Sequence, residues 1–168
     1  MPIIQHDTII IQWRGPYTYE QIEADSELGK SSGLYLISGK LKYQKTDAEI
    51  KYCGITERGF LKRFNDENHK LWDIKREPQI WLGTILTPEP TRTYLERAES
   101  LIIYFWQPEL NSRKKVIPPR PTTVINYWLK EDGTPRFRQH SLTKELSDVL
   151  SWDGKYWRTG NLSVYEDE

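Results

Sequence analysis

Two tyrosines and one glutamate raise the first chemical question in this chain. GLYLI (residues 33–37) and YCGIT (52–56) are short apolar runs, each with one tyrosine and one glycine. A buried strand accepts tyrosine only where the hydroxyl finds a partner, and glycine adds no packing to a strand. Side chains alternate along a strand, so Gly33, Tyr35 and Ile37 share one face, and Ile50, Tyr52 and Gly54 share a face of the second strand. Each phenol therefore has a glycine as a same-face neighbour. That leaves space for something large to approach two hydroxyls; the plainer alternative is a pair of amphipathic strands whose tyrosines hydrogen-bond at the sheet rim. Glu99 is the third residue. At about 100° per residue, Leu95, Ala98, Ile102, Phe105 and Trp106 define the core-facing arc of a helix. Glu99 falls inside the edge of that arc, and a partly buried carboxylate needs a partner or a metal. Glu96 falls further out, where it can pair with Arg92 one turn earlier.

These residues need elements to hold them. DTIIIQW (7–13), LYLIS (34–38), IKYCGIT (50–56) and QIWLGTIL (79–86) read as strands. GPYTYEQIEAD (15–25) reads as a turn into a short helix, and GKLKYQKTDAE (39–49) as a polar hairpin linking two antiparallel strands. Phe60, Leu61, Phe64 and Leu71 recur at helical spacing and predict a helix over roughly 57–71. YLERAESLIIYFW (94–106) predicts a second helix, stopped by the QPELN turn. IPPRP (117–121) is a stiff linker. Beyond it NYWLKEDGTPRFR (126–138) reads as a hairpin with an Asp-Gly turn, LTKELSDVL (142–150) as a short helix and KYWRTG (155–160) as a strand. The order is strand, strand, helix, strand, helix, then a small α+β tail.

The chain of 168 residues is long enough for one domain with a real core. Its single cysteine, Cys53, excludes an internal disulfide and a multi-cysteine zinc site, which suits a reducing, cytoplasmic compartment. The amino terminus carries no basic region before its short apolar run and does not read as a secretory signal. No stretch approaches the length of a membrane-spanning helix. Lysine and arginine balance aspartate and glutamate at 24 each, which argues against a general nucleic-acid coat. The balance is uneven, however: residues 1–30 carry a net −3, residues 111–140 a net +5 and residues 141–168 a net −3. An ordinary mixed surface and one basic face both fit that pattern.

GLY at 33–35 followed by YCG at 52–54 resembles the GIY-YIG nuclease signature, with Leu34 and Cys53 in place of the isoleucines. A following helix with Arg63, and ESLIIYFWQPELN (99–111), resemble the rest of that module. Glu99 and Asn111 stand twelve residues apart with Pro108 between them, a spacing common in the family. The resemblance spans about 33–111. It departs in three places. The two tyrosines are 17 residues apart, a long interval. Arg63 lies eleven residues after Tyr52, one more than the pattern suggests, which leaves Arg58 as a rival. Glu67 stands where many relatives carry His or Tyr, and the nearest histidine is His69.

The resemblance implies an α/β (α+β) fold with a small antiparallel three-stranded central sheet flanked by helices. On that reading residues 1–32 are an N-terminal extension packed on the core, 33–115 the nuclease core and 116–168 an aromatic-rich C-terminal extension. It implies a metal-dependent endonuclease that hydrolyses phosphodiester bonds in nucleic acid, double-stranded DNA first. Tyr35, Tyr52, Arg63, Glu99 and Asn111 would form the catalytic set, with Glu99 holding Mg²⁺ or Mn²⁺ among waters. Tyr35 would orient or deprotonate the attacking water, Arg63 would grip the phosphate and Asn111 would position Glu99 or the helix end. Lys40, Lys42, Arg58, His69, Arg113, Lys114 and Lys115 would contact nucleic acid. A non-catalytic module that keeps the fold and binds nucleic acid or protein is the alternative, and a homodimer or a partner protein stays open.

Overall fold

A computed structural model describes residues 5–167. The architecture corrects the small three-stranded sheet flanked by helices: one curled, mixed sheet of seven strands runs through the chain in the order β3-β2-β4-β1-β5-β6-β7. The strands are β1 (Asp7–Tyr17), β2 (Gly33–Lys40), β3 (Glu49–Thr56), β4 (Arg76–Thr87), β5 (Thr122–Leu129), β6 (Val149–Trp152) and β7 (Trp157–Gly160). The β2, β3 and β4 strands, expected to be a whole sheet, form one end of this larger one.

The sheet grows because β4 has a second edge to satisfy. β1 pairs along it antiparallel, with Trp13 opposite Gly83, and β5 then joins β1 in parallel. Gly83 is required here: a Cβ on it would lie 2.7 Å from the ring of Trp13. β1 alternates strictly, burying Ile9, Ile11 and Trp13, and its β-branched run suits a half-buried strand. Trp13 stacks on Trp128 of β5 at 5.6 Å and donates its indole N–H to Asn126 Oδ1 at 2.8 Å. The C-terminal aromatics divide. Trp128 and Trp152 are core residues, whereas Tyr127 and Tyr156 are exposed.

Helices are few and short. Thr18 and Gln21 form a capping box at the start of α1 (Tyr19–Ala24), and α2 (Ser26–Lys30) follows directly. The helix expected over 57–71 is only α3 (Phe60–Phe64), then a separate 3₁₀ turn at Lys70–Asp73. Asn68, at φ 60°, lies between them and interrupts the helical path. α4 (Arg92–Trp106) is the one long helix, capped by Thr91 and ended by Gln107 in the left-handed region before Pro108. The short helix expected near 142–150 is instead a set of turns leading into β6, and the Asp-Gly hairpin closes with a single bridge between Leu129 and Pro135. Among the described residues no helix is long and apolar enough to cross a membrane.

The core is double. Ile9, Ile11, Trp13, Leu34, Leu36, Cys53, Ile55 and Trp81 pack with α4. Tyr35, Ile37, Ile80 and Leu82 pack with Phe60 and Phe64 of α3 and with Leu71, and Tyr52 leans on this second cluster. Strand alternation makes these the two faces of the sheet.

Candidate active site

The glycines beside the tyrosines serve the fold. Gly54 lies opposite Tyr35 in the β2–β3 ladder, and a Cβ on it would sit 2.4 Å from the Tyr35 ring and hydroxyl. The phenol of Tyr35 fills the space that Gly54 leaves. Gly33 has φ +149°, and a Cβ there would meet the carbonyl oxygen of Gly83 at 2.1 Å, so its missing side chain admits strand β4. Neither glycine clears room for a phosphodiester.

Tyr35 and Tyr52 do share a face, with ring centroids 6.1 Å apart. Tyr35 is wholly buried between Phe60, Phe64 and His69. His69 is buried as well, so it is a partner of Tyr35 rather than a surface group. The Leu71 amide donates to His69 Nδ1 at 3.0 Å, which puts the imidazole proton on Nε2, and Nε2 lies 2.9 Å from Tyr35 Oη. Tyr35 therefore receives a hydrogen bond from His69, and its ring lies beside that of Tyr52. A backbone amide thus sets the direction of a chain running Leu71, His69, Tyr35, and Tyr52 packs against its end, partly open to solvent.

Burial pushes His69 down to about 4, aided by the Arg63 charge. Its folded value lies below the unfolded one, so the neutral ring stabilises the fold fully above about pH 6.5. That stability is lost as pH falls from about 6.5 to 4, by about 2–3 kcal/mol. Denaturant midpoints taken across this range should show the loss, and His69→Gln should shrink it. Burial also lowers His140, so the variant's difference from the parent isolates His69.

Tyr52 opens onto a cleft of about 700 Å³. Thr56, Glu57 and Arg58 at the end of β3, Arg63 of α3, Arg92, Glu96 and Glu99 of α4, and Asn111 to Lys114 line it. The cleft wraps the outer edge of β3. Glu99 comes from the helix on one face and Tyr52 from the other, and the two meet around that edge. Glu96 pairs with Arg92 at 2.9 Å on the surface, as the phasing predicted. The Glu99 side chain is only 13% exposed and its carboxylate is held by the Lys114 ammonium. Burial keeps the Glu99 carboxyl above the usual carboxylate range, against the pull of Lys114. Lys114 itself has φ 66°, a left-handed backbone that is costly for a side-chain-bearing residue.

Both arginines line the cleft and both hold Asp66: Arg63 donates to it at 2.7 Å, and Arg58 is a second partner. The partner of Arg63 is thus one residue before Glu67. Arg63 is the arginine whose charge acts on both tyrosines. Burial raises both phenols, Tyr35 far more, so both are neutral near pH 7.

Asn111 is buried and makes no contact with Glu99's carboxylate. Its Oδ1 accepts from the Cys53 amide and its Nδ2 donates to the Cys53 carbonyl, both at 2.9 Å. The Leu110 amide donates to the Lys51 carbonyl at 2.9 Å beside it. Lys51, buried to 1% exposure, is an anchor that the sequence reading missed: its ammonium meets Glu109 at 2.6 Å and Glu49 at 2.7 Å. The 107–111 segment is thereby fixed to β3, and Lys114 with it. Asn111→Ala should cost about 2–3 kcal/mol in chemical denaturation, because two backbone groups lose their partners. Lys40 and Lys42 do not line the cleft; they sit at the far end of the β2–β3 hairpin, Lys40 paired with Glu77 at 3.6 Å and Lys42 over the Tyr43 ring.

Among the described residues no three His, Cys, Asp or Glu side chains gather as a metal cage. Glu99 alone offers a hard oxygen, a donor set that fits a cation retaining most of its waters, such as Mg²⁺. The ammonium of Lys114 already occupies that carboxylate as a positive group. Compared with protein-family models, with curated proteins and with solved structures, the chain matches none.

Proposed function

We propose that this chain is a GIY-YIG-type endonuclease that hydrolyses phosphodiester bonds, with duplex DNA as its substrate. One observation carries the reading: a largely buried carboxylate and a phenol converge from opposite sheet faces on a cleft lined by Arg58, Arg63, Arg92 and Lys114. Arginine forks suit phosphate oxygens, and Arg63, its side chain 30% exposed, is the most sheltered of the three. Glu99 would hold Mg²⁺ or Mn²⁺, which when bound supplies positive charge for the phosphate.

The remaining roles belong to the chain. Arg63 holds a phosphate oxygen and favours the ionised form of Tyr52. Tyr52 Oη, at the cleft, orients the water and takes its proton once the phenol is ionised. Tyr35 and His69 behind it fix where that oxygen sits. Asn111 positions the loop that brings Lys114 to Glu99. A cytoplasmic location and a homodimer go with this proposal.

A second reading, a binding module without catalysis, draws on the Glu99–Lys114 pair, since Lys114 meets the carboxylate's need for a cation without metal. Incubation with supercoiled plasmid and Mg²⁺, with and without EDTA, decides. Nicked or linear product that EDTA abolishes supports the nuclease; intact plasmid with Mg²⁺ and with Mn²⁺ overturns it.

A further inference from the structure

The segment from Arg113 to Arg120 is held at both ends and bare at its tip. On one side Gln107 Nε2 donates to the Lys115 carbonyl at 2.9 Å, and the Lys114 ammonium sits on Glu99 at the cleft. On the other, Trp152 donates its indole N–H to the Pro119 carbonyl at 3.0 Å, and Arg120 pairs with Asp7 at 3.6 Å. Between these anchors Val116 and Ile117 are 85% and 80% exposed. Two adjacent, largely exposed β-branched side chains on an anchored loop are surface that burial would stabilise.

The geometry points to a wedge: Val116 and Ile117 insert between base steps of duplex DNA lying in the cleft. This rests on the nuclease reading. The left-handed backbone at Lys114 turns the chain so that the lysine goes into the cleft while the next residues project beyond it. Pro118 and Pro119 stiffen the tip. Charge selects the occupant. From Leu110 to Lys130 the sequence has no acidic residue, and while Lys114 and Arg120 are paired with Glu99 and Asp7, Arg113 and Lys115 precede the apolar pair with no ion pair among the described residues. Apolar wedges flanked by basic side chains unstack and kink a duplex, giving up stacking for contact along the bent backbone. An anionic membrane surface offers the same attraction, but this loop rises from the rim of a cleft lined by arginines, and that favours a duplex.

The test uses the full chain in EDTA, where a metal-dependent nuclease does not cut. A closed circular plasmid is relaxed by a topoisomerase that needs no metal, so that any wedge, wherever it binds, changes the linking number. The parent protein should shift the topoisomer distribution. Val116→Ser/Ile117→Ser, at exposed positions, should keep its melting temperature, lose that shift and bind a mixed-sequence duplex about tenfold more weakly. Arg113→Gln/Lys115→Gln should flatten the salt dependence of binding while keeping the shift. Wild-type unwinding and affinity in the serine variant overturn the wedge and leave the nuclease reading intact. Absence of DNA binding by the parent overturns both. Binding to phosphatidylserine vesicles that the serine variant loses, with no plasmid unwinding by the parent, overturns it in favour of a membrane.

Discussion

Glu99→Gln should lower plasmid cleavage in Mg²⁺ by about 10³-fold, the scale of losing a principal electrostatic contact to the transition state. The substitution keeps shape and volume and removes the charge on which a cation would sit. Its fold should survive: Lys114, with its side chain 31% exposed, can return to water when its partner is neutralised. Glu96→Gln is the matched control. That carboxylate lies one turn away on the same helix, 49% exposed and paired with Arg92, so its variant should stay within about twofold of the parent. An active Glu99→Gln enzyme beside an inactive Glu96→Gln enzyme would reverse the assignment.

Tyr52→Phe should reduce the cleavage rate by about 10²-fold with an unchanged melting temperature, the size expected for losing a group that handles a proton. Tyr35→Phe should behave differently. Its hydroxyl is sealed in the core, and removing it strips His69 Nε2 of its acceptor, so it should cost about 1–3 kcal/mol of stability. The role of orienting or deprotonating the water, expected of Tyr35, therefore moves to Tyr52, the tyrosine at the cleft. Because burial raises the Tyr52 phenol, the parent's rate should climb as pH rises above neutrality, and Tyr52→Phe should flatten that climb. A pH profile with the same slope in parent and variant would remove Tyr52 from the proton transfer.

The sequence told most about short-range geometry. Helical phasing separated Glu96 from Glu99, and strand alternation put Tyr35 and Tyr52 on one face, because both rest on the fixed periods of the backbone. It told less about what fills space. A glycine beside a tyrosine reads as an opening, yet the Gly54 gap is filled by Tyr35 itself and the Gly33 gap by strand β4. Long-range pairing was the least legible. DTIIIQW announces a strand, but nothing local says that it lies between β4 and a strand more than a hundred residues later, so local signals predict a three-stranded sheet where seven strands pair. His69 and Lys51 were misread or missed for a related reason: a polar residue in a polar stretch looks solvated until distant residues close over it. The only clue to Lys51 was its place in an alternating strand, on the same face as the apolar Cys53.

The two ends of the sheet differ in their openness to another chain. At one end the side-chain amide of Asn111 occupies both backbone groups of Cys53, as a neighbouring strand would, and the Leu110 amide takes the Lys51 carbonyl. At the other end β7 is four residues long, largely exposed, and among the described residues has no partner beyond it. Fibrous growth by strand addition needs two free edges on every copy, and an edge already saturated is a common protection against it. Here the Asn111 side chain, helped by the Leu110 amide, supplies that protection. Edge-to-edge association of this protein would pair β7 with β7 and close at two copies, so losing Asn111 would do more than loosen a loop: it would turn a sheet that ends into one that can be continued.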